Sequence, residues 1–291
     1  MTSIDDMLNA EFIIKLEKLE QILNSDVLSY YGTIDNFVLS AFRDMVENIA
    51  SDNKKRDSLT IILTTFGGDA LTADIMVNIV RHHYKEVNFI VPDYAYSAGT
   101  IFCMSGDNIY MDYYSALGPI DPQVKTSEGK WVPVLGYLDK IQELLNKAAS
   151  NPPTLTQAEF LILKDFDLAE IRSYEQARDL ATDLIKKWLV KYKFKNWDIR
   201  KSTGEKVTDK YKEKRAEDIA KILGDNKIWL SHGRAIDIHK LREIDLKIED
   251  FGENNDLNLA IREYSTYLRD YISIYGGKAF IATRKEVLKW A

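Results

Sequence analysis

The chain has 291 residues, of which 45% are hydrophobic and 29% are charged, with a formal net charge of −6. This composition is typical of a folded globular protein and excludes a disordered or collagen-like chain. The acidic balance disfavours nucleic acid as the main partner, and no apolar run reaches the roughly 18–20 residues that span a bilayer.

The first half of the chain predicts alternating helices and strands. Apolar residues at helical spacing predict helices over residues 11–24 and 34–49, and a helical stripe formed by Leu71, Ile75, Ile79 and Val80. Short apolar runs predict buried strands at residues 58–64, 87–91 and 108–111. This strand–helix–strand order indicates βαβ units and a parallel sheet.

The second half is mostly helical in pattern. Apolar side chains share one face over residues 155–190, including Leu168 and Trp188, and again over residues 256–272. Residues 186–215 carry twelve Lys or Arg against four Asp or Glu, a local net charge of +8. Such runs are usually solvated helix ends or connectors. The alternative is a docking surface for an acidic partner.

Two loops follow consecutive predicted strands and carry unusual residues. The first contains Gly67-Gly68, and the second contains Ser97 before small residues. Because parallel strands end at the same edge of a sheet, we expect the loops to be neighbours. Ser97 then suits a nucleophile in acyl transfer, with the backbone N–H groups of Gly68 and Ala98 as donors to an oxyanion. Each feature also has a plain interpretation, in which Ser97 is a helix N-cap and the glycines form a turn.

Four motifs extend this pattern along the chain: TTFGGDA at 64–70, YAYSAGT at 94–100, LGPIDPQ at 117–123 and WLSHGRAI at 229–236. Together they resemble the serine dehydrogenase proteinase (SDH) family, a branch of the ClpP/crotonase superfamily related to signal peptide peptidase A. The resemblance covers residues 57–246. It implies an α/β ClpP/crotonase-like β-β-α spiral with a largely helical C-terminal portion, and Ser97, Gly68 and Ala98 in the roles given above.

The resemblance also implies a division of the chain and an assembly. Residues 1–50 are expected to form N-terminal helices, residues 51–250 a Clp-like serine peptidase domain, and residues 251–291 a C-terminal helical tail. Relatives assemble into rings or stacked oligomers, so a homo-oligomer is expected. The family needs no cofactor, and one cysteine with four histidines leaves little room for a metal site.

The general base is open at this stage. The Clp peptidase uses a histidine that follows the serine, but the corresponding region here, residues 117–122, contains none. The signal peptide peptidase branch resembles a Ser-Lys dyad, which implies Lys140, 43 residues after Ser97. A lysine base must be neutral and therefore desolvated; a surface lysine is the plain alternative. His232 is the competing base, and Asp121 either orients a base or fixes a turn.

Three functions are compatible with these residues. The first is a serine peptidase that cleaves an extended polypeptide, bound along a sheet edge. The second is a crotonase-type acyl-CoA thioester enzyme, in which the paired N–H groups polarise a thioester carbonyl. The third is a non-catalytic oligomeric scaffold. With one cysteine, no apolar leader and no spanning segment in the sequence, we expect a cytoplasmic location and no membrane partner.

Overall fold

The computed structural model describes residues 3–125, 131–200 and 203–290. In the first half of the chain the helices and strands are α1 (Ile4–Leu23), β1 (Asp26–Gly32), α2 (Leu39–Ala50), β2 (Ser58–Thr64), α3 (Ala70–His83), β3 (Glu86–Ile90), β4 (Tyr94–Ala95), α4 (Ala98–Cys103), β5 (Asn108–Met111), β6 (Ala116–Leu117), β7 (Gln123–Lys125) and β8 (Trp131–Pro133).

In the second half they are α5 (Val134–Ala149), α6 (Gln157–Lys164), α7 (Leu168–Trp188), α8 (Asp209–Gly224), α9 (Asn226–Trp229), α10 (Ile238–Glu243), β9 (Glu249–Asp250), α11 (Asn255–Tyr275), β10 (Ala279–Thr283) and β11 (Val287–Trp290). A π-helical turn, Leu189–Lys193, follows α7, and short 3₁₀ turns lie at Asn36–Val38 and Phe251–Glu253. The α/β class and the largely helical C-terminal portion are confirmed.

A seven-stranded sheet in the order β11-β10-β1-β2-β3-β5-β9 forms the centre of the fold. Strands β1, β2, β3, β5 and β9 are parallel, as the sequence predicts for β2, β3 and β5. Strands β10 and β11 pair antiparallel at the other edge, so the sheet is mixed rather than wholly parallel.

Alternate residues of each strand pack against different helices, as the pleat of a strand requires. On one face the strands pack with α2, α3, α4 and parts of α7 and α8. On the other face, Ile62, Ile90 and Phe280 pack with α1 and α11. Phe12 of α1 lies 4.5 Å, between ring centroids, from Tyr267 of α11. Helices therefore cover both faces. None of the helices in the described residues is long and apolar enough to cross a membrane.

Two predicted helix faces are wrong. In α3, Leu71 and Ile75 are 56% and 44% exposed, because the buried face of the helix consists of Thr72, Ala73, Met76, Val77 and Val80, of which only Val80 belongs to the predicted stripe. The pattern over residues 155–190 is two helices, since the carboxylate of Asp167 accepts the N–H of Ala169 and starts α7 anew. Leu168 at that start is 81% exposed.

Both termini contribute strands that the sequence pattern misses. Residues 1–50, expected to be helical, contain β1, and residues 251–291 contain β10 and β11 after α11. The physical reason is the polar content of β1, in which Asp26 and Ser29 are fully buried. Asp26 is paired with Arg284, which directly follows β10. A strand held by an internal ion pair lacks the continuous apolar run that identifies β2.

Candidate active site

The two glycine- and serine-bearing loops lie side by side, as the sequence predicts. The N–H of Thr65 donates to the Tyr94 carbonyl at 3.0 Å, and the N–H of Tyr96 donates to the Thr65 carbonyl at 3.0 Å. These bonds form an isolated parallel bridge between Thr65 and Ala95. Through this bridge, parallel backbone pairing continues beyond the end of β2 into the two loops and holds them at hydrogen-bonding distance.

Ser97 occupies a strained turn at the start of α4. Its φ is 52° and its ψ −117°, a positive φ that is uncommon for a residue with a side chain. Its side chain makes no capping hydrogen bond to the helix, so the N-cap interpretation lacks its defining contact. A serine held on a tight strand-to-helix turn is the geometry that presents a nucleophilic hydroxyl in hydrolases. Such strain costs about 1–3 kcal/mol and concentrates at functional sites.

The glycine loop packs so closely against Ser97 that no side chain fits between them. A Cβ placed on Gly67, whose φ is +111°, would lie 2.7 Å from Cβ of Ser97. A Cβ on Gly68, whose φ is +147°, would lie 2.1 Å from the carbonyl oxygen of Ile34. The sequence singled out the amide of Gly68, whereas Gly67 makes the direct contact with Ser97. The two adjacent glycines were the sequence feature that could have indicated this contact.

Two backbone amides near Ser97 have no acceptor among the described residues. The neighbouring N–H groups are used, since Gly67 donates to Thr65 Oγ1 at 2.9 Å and Asp69 donates to the Ile34 carbonyl at 2.9 Å. The N–H of Gly68 lies between them and is not engaged. The N–H of Ala98 belongs to the first residue of α4, where no intrahelical acceptor exists. This arrangement is chemically suited to binding an oxyanion.

The third and fourth motifs are attached to the serine loop. Oγ1 of Thr100 lies 2.8 Å from the carbonyl oxygen of Ala95 and accepts the N–H of Gly118 at 3.0 Å. Leu117 and Ile236 exchange two backbone hydrogen bonds of 3.0 and 2.8 Å. Segments far apart in the chain therefore meet beside the serine.

This pairing brings His232 to Asp121. Nδ1 of His232 lies 2.9 Å from Oδ1 of Asp121, with the side chains 18% and 2% exposed. Oδ2 of Asp121 is buried and has no partner among the described residues. A buried carboxylate in contact with one ring nitrogen fixes the orientation of an imidazole and stabilises its protonated form.

Lys140 lies in a different environment. It is on α5 with its side chain 49% exposed, and its Nζ is 3.0 and 3.1 Å from the carboxylate oxygens of Glu143. Its neighbour Asp139 pairs with Lys227. The described contacts therefore join Lys140 to Glu143 and not to Ser97. Cys103 is fully buried, and burial raises the pKa of its thiol, in agreement with a packing role.

Aromatic side chains surround the opening of the serine loop. Phe66 is 70% exposed, and its ring centroid lies 4.4 Å from that of Tyr94, which lies 5.5 Å from that of Tyr96. Burial raises the pKa of Tyr94 to about 12 and also raises that of Tyr96. Both phenols are neutral at physiological pH, so this cluster is an uncharged, largely apolar surface.

Comparison with known proteins assigns the family. Residues 38–204 match the ClpP-like SDH-type serine proteinases, which is more than half of the chain. The chain belongs to this family. The match includes the first three of the four motifs, and it confirms the family resemblance and the ClpP-like fold.

The curated relatives have no assigned function. The uncharacterized protein MJ0137 of Methanocaldococcus jannaschii is 27% identical over 195 residues, covering 67% of this chain and 54% of that protein. MJ1495 of the same organism is 25% identical over 190 residues, covering 65% of this chain and 51% of that protein. The chain thus spans about half the length of the curated relatives it matches.

Comparison with solved structures finds two proteases among its matches. A mutant of the 1510-N membrane-bound stomatin-specific protease in complex with a substrate peptide is 23% identical, covers 51% of this chain and 69% of that chain, and has a TM-score of 0.32. ClpP1 from Listeria monocytogenes is 11% identical, covers 79% of this chain and 94% of that chain, and has a TM-score of 0.39.

Proposed function

We propose that this chain is a serine endopeptidase that cleaves extended polypeptides through an acyl-enzyme on Ser97. The observation that carries the proposal is the position of Ser97. It lies on a strained turn against Gly67, beside two amides without a described acceptor. Membership of a serine proteinase family supports the same chemistry.

In the proposed reaction, Oγ of Ser97 attacks the scissile carbonyl carbon while a base removes the hydroxyl proton. The N–H groups of Gly68 and Ala98 stabilise the negative oxygen of the tetrahedral intermediate. The base returns the proton to the leaving amine as the peptide C–N bond breaks. Water then hydrolyses the ester on Ser97 by the same steps, which frees the acid product and restores the hydroxyl.

Two residues are candidates for the base. Lys140 is the one that the family resemblance implies, but its half-exposed position provides little of the desolvation that a neutral lysine requires. His232 carries an imidazole, the side chain that most often serves as a general base, and its contact with buried Asp121 holds the ring. We therefore propose His232 as the base and Asp121 as the residue that positions it, with Lys140 as the alternative.

The substrate and setting are parts of the same proposal. The exposed aromatic cluster of Phe66, Tyr94 and Tyr96 supports contact with apolar side chains of an extended substrate. Consecutive exposed apolar residues on α6, from Phe160 to Ile162, support a homo-oligomer. A cytosolic location is supported by the single, buried, unpaired cysteine.

The proposal is tested by the rate of labelling with a fluorophosphonate probe, measured across about pH 5–9. Ser97→Ala should abolish labelling, while Ser173→Ala, an exposed serine on α7, should not change it. Loss of a general base lowers such rates by about 10²–10⁴-fold. His232→Gln and Asp121→Asn should show that loss, and His239→Gln, an exposed histidine, should not.

The variant Lys140→Met distinguishes between Lys140 and His232 as the base. Loss of labelling in Lys140→Met with retention in His232→Gln would assign the base to Lys140, and Lys164→Met, at an exposed lysine on α6, is the matched control. Thermal unfolding of every variant verifies folding. A folded native chain that never labels would contradict the peptidase. Hydrolysis of acyl-CoA thioesters by that chain would then favour the thioester enzyme, and its absence the scaffold.

A further inference from the structure

A cavity lies at the edge of the sheet opposite to Ser97. Glu86 and Asn108, the first residues of β3 and β5, line it, whereas the serine loop follows the carboxyl end of β3. Its volume is about 680 Å³, within the range of small-molecule sites. No residue assigned to the peptidase machinery above lines this cavity, so it needs a separate explanation.

The cavity walls carry an excess of positive charge. Five cationic side chains line it: Lys193, Lys195, Arg200, Arg215 and Lys247. Most of them have a carboxylate partner. Lys195 pairs with Asp107, Arg200 with Glu205, Arg215 with Asp245 and Lys247 with Glu249.

Lys193 differs from these four. Within the described residues its ammonium forms neither an ion pair nor a hydrogen bond, although the side chain is only partly exposed. Burial, and then the charge of Lys247, lower its pKa to about 8. A partly buried ammonium that has no partner among the described residues keeps its hydrogen-bond donors available for a ligand. An anion in the cavity would supply that partner.

Aromatic rings lie beside this charge. Trp197 lines the cavity, with its ring centroid 5.2 Å from that of Phe194 and 5.6 Å from that of Tyr211. The backbone that carries Lys193 is also unusual, since Leu189–Lys193 is a π-helical turn, a form enriched at functional sites. The lining of the cavity therefore includes both an indole and an unpaired ammonium.

We propose that this cavity binds a small phosphorylated ligand that carries an aromatic ring, of the nucleoside monophosphate class. Lys193 receives the phosphate, and Trp197 contacts the ring. The sequence offered an acidic partner for residues 186–215 as the alternative to a solvated connector. The structure narrows this to one recess with one unpaired cation among the described residues, which suits a small ligand better than an acidic protein surface. Lys201 of that segment lies outside the described residues.

The test uses AMP, GMP, CMP and UMP as probes in calorimetric titrations of the full chain. At least one should bind, with the corresponding nucleoside and inorganic phosphate each binding at least about tenfold more weakly, because each lacks one of the two contacts. Lys193→Met should weaken nucleotide binding by about 10–100-fold, the effect of losing a charge-assisted hydrogen bond. Lys210→Met, an exposed lysine of the same segment outside the cavity, should not.

A second readout locates the site on the native protein. Lys193 should react with trinitrobenzenesulfonate near its pKa of about 8, and the bound nucleotide should slow that modification at Lys193 but not at Lys210, as measured by mass spectrometry. No binding of any of the four nucleotides at about 10 mM, or equal binding to Lys193→Met, overturns the proposal. Tighter Lys193-dependent binding of polyglutamate overturns it in favour of an acidic protein partner.

Discussion

At the scale of single residues, the glycine loop determines how the proposed oxyanion site is held. Gly68 has a φ of +147° and lies against the backbone of Ile34, which receives one hydrogen bond from this loop and donates another. The loop therefore tolerates no side chain at this position. Gly136, on the first turn of α5, has open space around it and a helical environment.

These two glycines give a matched pair of substitutions. Gly68→Ala should destabilise the fold by about 1–3 kcal/mol, through backbone strain and overpacking, and should suppress fluorophosphonate labelling. Gly136→Ala should stabilise it by about 0.5–1 kcal/mol, because alanine favours the helix, and should leave labelling unchanged. Chemical denaturation measures both. Equal stability of the two variants would show that the loop at Gly68 is not constrained as described.

Lys193 predicts a pH dependence of stability that does not depend on any ligand. Its pKa is about 8 in the folded chain against 10.5 for an unperturbed lysine. Between these values the unfolded chain binds more protons, so this residue makes the free energy of unfolding rise with pH across that window.

The measurement compares urea unfolding of the native chain and Lys193→Met at pH 7 and pH 10. The variant should be more stable at pH 7 by on the order of 2 kcal/mol, and the difference should shrink at pH 10. Lys210→Met should track the native chain at both pH values. A native chain that matches Lys193→Met at pH 7 would mean that the ammonium is well solvated.

The site residues differ in how far the sequence could predict them. Ser97 and Gly68 follow consecutive parallel strands, and a general rule about strand ends predicts that they meet. The contact between His232 and Asp121 joins residues 111 positions apart. It depends on the backbone pairing of Leu117 with Ile236, for which no local pattern exists. The sequence named both residues and offered Asp121 as a group that orients a base, but no local pattern selects His232 as its partner.

At the scale of secondary-structure elements, a buried ion-pair network joins four parts of the chain. The guanidinium of Arg284, after β10, lies 2.8 Å from Glu20 of α1, 2.7 Å from Asp26 of β1 and 3.3 Å from Asp52 after α2. The side chains of Arg284, Glu20 and Asp26 are 4%, 2% and 0% exposed. The network therefore holds β10 in register beside β1.

Arg284→Gln should destabilise the fold by about 1–3 kcal/mol, because two buried carboxylates lose their most buried cation while Arg56 stays paired with Glu20 at 2.8 Å and lies 3.8 Å from Asp26. Urea unfolding provides the measurement, and Arg178→Gln, an exposed arginine on α7, is the control with little expected effect. A loss below about 1 kcal/mol would mean that solvent or another cation satisfies Glu20 and Asp26.

The same elements show where periodicity succeeds and fails. Strand β2 and strand β5 have the predicted bounds, because their apolar runs have no other use than burial between helices. Strand β1 is equally central, but its buried Asp26 and Ser29 remove the apolar signal. For α3 the helix was correct and its face was not. Hydrophobicity alone favoured Leu71 and Ile75, whereas the face that packs in the core contains the polar Thr72 beside Met76 and Val77.

At the scale of the whole molecule, the family match covers a shorter range of residues than the central sheet. Residues 38–204 match the family, but the central sheet also needs β1 before that range and β10 and β11 after it. Helix α11 packs on α1 across the same face, through Phe12, Tyr264 and Tyr271. The boundaries expected from sequence, at residues 50 and 250, would cut through this shared packing.

A chain that ends at residue 250 tests the point. The sequence division expects such a chain to keep a folded peptidase domain. The structure instead expects it to lose cooperative unfolding, because truncation removes β10 from the edge of β1 and exposes Phe12, Leu16 and Leu19, which are fully buried. Circular dichroism and urea unfolding measure the loss of cooperative unfolding, and added peptide 251–291 should restore the transition.

A short Gly-Ser insertion between Gly276 and Gly277, which keeps every helix and strand, is the control. Cooperative unfolding of the truncated chain at the native midpoint would show that the C-terminal elements are an accessory to the fold and not part of its core.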